Sequence, residues 1–189
     1  MSNVKIETER LIIRNFTVND WKPLQEMIVQ KESSEYAIYD HQWPTTEKEI
    51  KGITQWFASG NSYFAVCLKN TNPLGFTGLI GFIALNNIEG EDKAFDLGYC
   101  FNFDYHGKGY ATEGCKALLK YAFLHWKTEK ILCSTAAANG PSCKLLRRLG
   151  MKKTKEETTS FRKTSEGKPI EFLGVTFDMT RDEWLEINS

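Results

Sequence analysis

Three apolar runs between residues 63 and 103, joined by connections too short to hold crossover helices, constrain this chain most. Tyr63-Phe-Ala-Val-Cys-Leu68 ends at the turn cluster Asn70-Thr-Asn-Pro73. Leu79-Ile-Gly-Phe-Ile-Ala-Leu85 ends in a polar stretch from Asn86 to Lys93, and the third run extends from Phe95 to Phe103. Parallel strands need a crossover of about a dozen residues or more, so these runs read as an antiparallel meander. The pattern changes at Gly109. Ala111, Cys115, Leu118, Leu119, Ala122 and Trp126 recur at spacings of three and four, with Glu113, Lys116 and Lys120 outside the stripe. That is an amphipathic helix. Lys130-Ile-Leu-Cys-Ser-Thr135 then returns as a strand, parallel after the helical crossover.

Around this centre, residues 10–14 read as a strand, and Thr17-Val-Asn-Asp20 opens a helix through about Gln30. A second helix follows Thr45 or Thr46, with Ile50, Ile53 and Phe57 on one face. Pro141 can start another, buried through Leu145, Leu146 and Leu149 and stopped at Gly150. Two closing strands are expected near residues 153–161 and 170–177, joined by a turn carrying Ser165-Glu-Gly167. The expectation is one α+β domain over residues 1–189, with about seven strands.

Composition narrows the function classes. Twenty-four basic residues balance twenty-four acidic ones, which argues against a broad nucleic-acid-binding surface. No apolar run approaches the ~18 residues of a membrane span, and Met1-Ser-Asn-Val-Lys-Ile-Glu7 does not read as a signal peptide. Five cysteines form no CxxC pair, and His41, His106 and His125 are dispersed, so no metal centre is expected. The expectation is a cytoplasmic protein with reduced thiols, bound neither to nucleic acid nor to membrane.

The stretch His106-Gly-Lys-Gly-Tyr-Ala111 lies between a strand and the strongest helix. Two glycines at alternate positions let a backbone approach a ligand and turn its N–H groups outward. The helix that follows adds its positive dipole end, which suits a phosphate or pyrophosphate. Lys108 can add charge at the rim. The stretch is neither a GxxxxGK[ST] loop nor a full GxGxxG, and by itself it also fits a bare strand-to-helix turn.

Several segments together resemble the GCN5-related N-acetyltransferase (GNAT) superfamily, in its ribosomal-protein alanine acetyltransferase-like branch. They are Glu7-Thr-Glu-Arg-Leu-Ile-Ile-Arg14, Asp96-Leu-Gly-Tyr99 with Tyr105-His-Gly-Lys-Gly-Tyr-Ala-Thr-Glu113, Asn139-Gly-Pro-Ser142 through Leu149-Gly-Met151, and Met179-Thr-Arg-Asp-Glu-Trp184. The resemblance covers nearly the whole chain. It implies a mixed, mostly antiparallel sheet splayed between its fourth and fifth strands, with acetyl-CoA in the gap. It implies main-chain contacts from Tyr99, Cys100 and Phe101, a pyrophosphate cradle from His106, Gly107, Lys108, Gly109, Tyr110 and Ala111 helped by Thr112, and a pantetheine contact from Asn139. His106 departs from the arginine or glutamine common at the start of this motif. A homodimer is compatible with the resemblance.

Acetyl transfer needs a neutral amine and a proton for the departing thiolate. Asp96, in phase with Gly98 and Cys100, is the candidate base; the alternative is a solvent-facing strand residue. The thiolate-side tyrosine of many relatives is replaced by Leu146, whereas Ser142 matches the serine of the resembling branch; Ser142 also fits a helix cap. Cys100 reads as a small apolar residue rather than a nucleophile. Tyr39 and Trp43, in the aromatic connector Glu35–Trp43, are candidate acceptor contacts or a seal on the core edge. The loop near residues 163–169 is a second candidate wall. The function expected is acetyl-CoA-dependent transfer to a primary amine, of a protein N-terminus or a small molecule. The alternative is a non-catalytic acyl-CoA-binding sensor.

Overall fold

The computed structural model describes residues 4–69 and 78–188. The turn cluster Asn70–Pro73 lies outside the described residues. Its elements are β1 (Lys5–Glu7), β2 (Leu11–Asn15), α1 (Trp21–Glu32), α2 (Glu47–Ser59), β3 (Tyr63–Leu68), β4 (Leu79–Ile88), β5 (Glu91–Phe101), α3 (Tyr110–Tyr121), β6 (Lys130–Ala136), α4 (Gly140–Arg148), β7 (Lys152–Thr159), β8 (Phe172–Thr180) and α5 (Arg181–Asn188). The strands form one eight-stranded sheet in the order β1-β2-β3-β4-β5-β6-β8-β7. The extra strand relative to the expected seven is β1, whose three residues are too short to show a periodicity. All neighbours pair antiparallel except β5 and β6, which follow the α3 crossover as expected.

Alternation along the strands sorts the apolar residues onto two faces. On one face Ile13, Phe64, Val66, Ile83, Leu97 and Phe101 pack under α3 and α4. On the other, Ala65, Cys67 and Phe82 pack under α1 and α2, against Leu24, Ile28, Ile50 and Phe57. Helix α3 lies very close to the sheet because Gly114 has no side chain. A Cβ there would meet Ile83 Cδ1 at 3.2 Å. This close approach sets the height of the glycine turn that opens α3. The apolar stripe predicted to reach Trp126 changes geometry near its end, where residues 122–126 form a π-helical turn closed by Lys127 at φ +57°.

The start of α1 is fixed by a buried charge. Thr17 N–H donates to Asp20 Oδ2 at 2.8 Å, completing the capping arrangement legible in Thr17–Asp20. The Arg14 guanidinium donates to both oxygens of Asp20 at 2.7 and 2.8 Å. Burial pushes the Asp20 carboxyl up, but its bonds from Arg14 and Thr17 outweigh this and hold it below its ordinary range.

Candidate active site

The parallel pairing of β5 with β6 spans only three residues, from Ala94 opposite Lys130 to Asp96 opposite Leu132. Beyond Asp96 the two strands part, although β5 continues to Phe101 against β4 and β6 to Ala136 against β8. This opening is the splay expected between the fourth and fifth strands, now β5 and β6. The Lys93 carbonyl accepts from Glu129 N–H on the β6 side at 2.8 Å, and Asn102 N–H donates to Ile80 on the β4 side at 2.9 Å. Alternation therefore turns the backbones of Leu97, Tyr99 and Phe101 toward the opening, and that of Cys100 toward β4. This corrects one of the three main-chain expectations and narrows another. Cys100 faces the wrong neighbour, and the Phe101 carbonyl is taken at 2.9 Å by His106 Nε2–H. Tyr99 N–H, Tyr99 C=O and Phe101 N–H remain directed into the gap.

At the end of this gap lies the glycine turn. Gly107 and Gly109 adopt φ of +73° and +83°, which side-chain-bearing residues rarely reach. Glu113 N–H bonds the Gly109 carbonyl, so the N–H groups of Tyr110, Ala111 and Thr112 stand as the open first turn of α3. These residues fit a pyrophosphate held by backbone donors and a helix dipole. The His106 ring turns back onto β5 and packs 4.8 Å from Phe103, so its departure from the common residue at this place supports the turn from behind. Lys108 Nζ likewise bonds the Asp104 carbonyl at 2.9 Å instead of standing free at the rim.

The turn is braced by a residue that sequence reasoning placed only in a strand motif. The Arg10 guanidinium bonds Glu113 Oε2 at 2.7 Å and the Lys108 carbonyl at 2.9 Å. It lies 4.5 Å from the Tyr110 ring centroid. Thr8 Oγ1 adds a bond to Glu113 at 2.5 Å. Burial pushes the Glu113 carboxyl up, but the Thr8 and Arg10 bonds outweigh it and hold Glu113 below its ordinary range. Arg10→Gln is expected to weaken acetyl-CoA binding about tenfold in calorimetric titration, the size of a lost charged hydrogen bond. Its melting temperature should change little, since Arg10 is half exposed.

On the α3/α4 face, the Tyr99 hydroxyl lies 2.6 Å from Ser142 Oγ. Asn139 caps α4 by accepting from Ser142 N–H at 3.2 Å, which leaves the Ser142 side chain free of the capping role. Asn139 was expected as a pantetheine contact; its Oδ1 serves the helix start. Leu146 is fully buried in the core beneath. Burial pushes the Tyr99 phenol well above 10, so it stays protonated. The Tyr99 ring was missed because the sequence reading considered its backbone alone. Its partner lies 43 residues away.

Asp96 projects from the opposite face of β5, opposite Asn86 on β4. Burial raises its carboxyl above the ordinary 3.8, and among the described residues no cation pairs with it. Tyr63 of β3 packs on the same face, and burial pushes its phenol up. Cys100, on the same face, has its thiol pushed up to about 12 by burial, which removes it as a nucleophile. The connector between α1 and α2 closes this face. Tyr39 packs edge-on against Phe172 of β8 at 5.1 Å, and Trp43 sits 6.2 Å from Phe82 and 6.3 Å from Phe57. Trp43 Nε1–H donates to Asp40, which Lys31 holds at 2.7 Å. Arg162, just before the predicted loop wall, pins that side to the connector through Glu32 at 2.9 Å and the Asp40 carbonyl at 2.8 Å.

A sheet opened beside a glycine turn, with a carboxylate on one face and a hydroxyl pair on the other, fits a group-transfer enzyme. The comparisons with known proteins agree. Residues 10–152 match the Acetyltransferase (GNAT) domain, and the chain belongs to that family. An uncharacterized N-acetyltransferase of Bacillus subtilis (strain 168), YnaD, is 30% identical over 149 residues, covering 78% of this chain and 82% of that one. The crystal structure of a GNAT-family acetyltransferase from Bacillus anthracis superposes with a TM-score of 0.77 at 25% identity, over 95% of this chain and 99% of that one. The ribosomal-protein-S5-alanine acetyltransferase from Vibrio fischeri shares the fold, with a TM-score of 0.77 at 19% identity over 96% and 98% of the two chains. The protein is an acetyl-CoA-dependent N-acetyltransferase, and the sensor alternative yields to this. No helix among the described residues is long and apolar enough to cross a membrane.

Proposed function

We propose that the enzyme transfers the acetyl group directly to a primary amine in a ternary complex, with Asp96 as base and Ser142 as acid. The observation that carries this reading is the division of labour across the gap. Asp96 lies on the face covered by the α1–α2 connector, and the Tyr99–Ser142 pair on the face covered by α4. In the reaction, the amine nitrogen attacks the thioester carbonyl carbon and its proton passes to Asp96. The C–S bond then breaks, and the thiolate takes a proton through the Ser142 hydroxyl, which takes one in turn from water. The backbone N–H groups left facing the gap, Tyr99 and Phe101, polarise the thioester carbonyl and steady the developing oxyanion. Gly107, Gly109, Tyr110, Ala111 and Thr112 hold the pyrophosphate through their backbone. Tyr39 and Trp43 line the approach of the acceptor. The five unpaired cysteines support a cytoplasmic setting.

Calorimetric titration with acetyl-CoA, followed by thiol release over N-terminal peptides and small amines, tests the reading. Saturable binding with release on one acceptor class is the expected result. Binding without release on any amine would sink direct transfer.

A further inference from the structure

Three charged side chains are largely buried where the α1–α2 connector meets the segment between β7 and β8. Those of Arg162, Glu32 and Lys31 are 17%, 10% and 15% exposed. Arg162 Nη2 donates to both Glu32 oxygens at 2.9 Å and to the His41 carbonyl at 3.2 Å. Its Nε donates to the Asp40 carbonyl at 2.8 Å. Lys31 completes the group, 2.7 Å from the Asp40 carboxylate and 3.3 Å from Glu32.

The network reaches both candidate walls of the acceptor side. The Arg162 carbonyl accepts from Ile170 N–H at 2.8 Å and so closes the base of the 163–169 loop. One residue thus holds the loop through its backbone and the connector through its side chain. Asp40 in turn accepts from Trp43 Nε1–H at 3.2 Å, which ties the Trp43 ring to the same network. Rings meet across the seam as well, His41 with Phe161 at 4.7 Å and Tyr39 with Phe172 at 5.1 Å.

Ion pairs this deep return little net stability once their lost hydration is counted. What they impose is geometry, because the planar guanidinium fork serves a carboxylate and two carbonyls in one orientation. We infer that Arg162 is a positioning residue for the amine acceptor: it fixes the spacing between the connector and the 163–169 loop, and with it the placement of Tyr39 and Trp43. This rests on the reading that Tyr39 and Trp43 line the acceptor's approach. It adds that acceptor affinity, and not acetyl-CoA affinity, depends on the tie between the two segments.

The test uses the full chain and the double variant Glu32→Gln/Arg162→Gln, which removes one cation and one acid together. Lys31 and Asp40 keep each other, so no buried charge is left alone and the variant should melt close to the parent. Thiol release from acetyl-CoA is followed with an Ala-Ala-Ala peptide amide, a Ser-Ala-Ala peptide amide, phenethylamine and spermidine. For the amine that the parent acetylates fastest, the double variant should raise the amine KM about tenfold and leave kcat and the acetyl-CoA KM within about twofold. Arg162→Lys, a point charge that meets Glu32 but not both carbonyls as well, should fall between the two. Hydrogen exchange in residues 35–46 and 160–171 should quicken together in the double variant. An unchanged amine KM there, beside a raised one in Tyr39→Ala, would overturn the inference and leave the acceptor's approach in place. An unchanged amine KM in both variants would overturn the two readings together, as would a parent that releases thiol with none of the four amines. An equal loss of affinity for amine and acetyl-CoA, with a collapsed melting temperature, would make the network a structural tie and remove the positioning role.

Discussion

Asp96→Asn is expected to lower kcat by on the order of 10²–10⁴-fold, the range for a lost general base, with acetyl-CoA affinity unchanged. The amide keeps the shape and can still meet an amine, but it cannot take a proton. The same substitution should raise thermal stability at pH 7, and the sign follows from the direction of the shift. Burial raises the Asp96 carboxyl above its ordinary value, so the folded chain binds this proton more tightly than the unfolded chain. That contribution to stability is complete at low pH, below the unfolded value, and is lost as pH rises through the folded one. At pH 7 the ionised carboxylate, half-buried and with no cation partner among the described residues, therefore costs stability that a neutral amide in its place would not. Melting curves of the two proteins should converge as pH falls through the Asp96 pKa. The acid limb of the pH–rate profile should lie above the ordinary carboxylate range and vanish in the variant. A variant as active as the parent would return Asp96 to the role of a strand residue.

Ser142→Ala is expected to slow turnover about 10²-fold, at the lower end for general acids because water can enter and protonate the thiolate. Tyr99→Phe should produce a smaller fall, since Tyr99 is a positioning residue. Its protonated phenol is the stronger donor of the pair. Donating to Ser142 Oγ at 2.6 Å, it leaves the serine proton free to turn toward the sulfur. The double variant should be no slower than Ser142→Ala alone, because the phenol acts only through the serine. A substrate with a better leaving thiol should narrow the gap between parent and Ser142→Ala. An effect that appears in the acetyl-CoA KM and leaves kcat intact would instead mark the pair as part of the binding wall.

The sequence by itself determined the order of elements and the place of the glycine turn. Both are local properties. The runs at residues 63–68 and 79–85 can only pair antiparallel across short connections, and the three-and-four spacing from Ala111 to Trp126 fits a helix alone. Gly107 and Gly109 mark positive φ at the two positions where the turn needs it. Even the opposed faces of Asp96 and Tyr99 follow from strand alternation, since the two are three residues apart. Tertiary structure decided the partners. Arg10 meets the Lys108 carbonyl across 98 residues, Ser142 meets the Tyr99 ring across 43, and Arg162 meets Glu32 across 130. Such pairs leave no periodic trace, because each member also suits its own local element without the other. The backbone of Cys100 was misjudged for a related reason. Which edge of a strand lies open depends on where its neighbour departs, and β6 departs from β5 after Asp96. That departure is set by how both strands pack between two helical layers, and no residue within β5 records it.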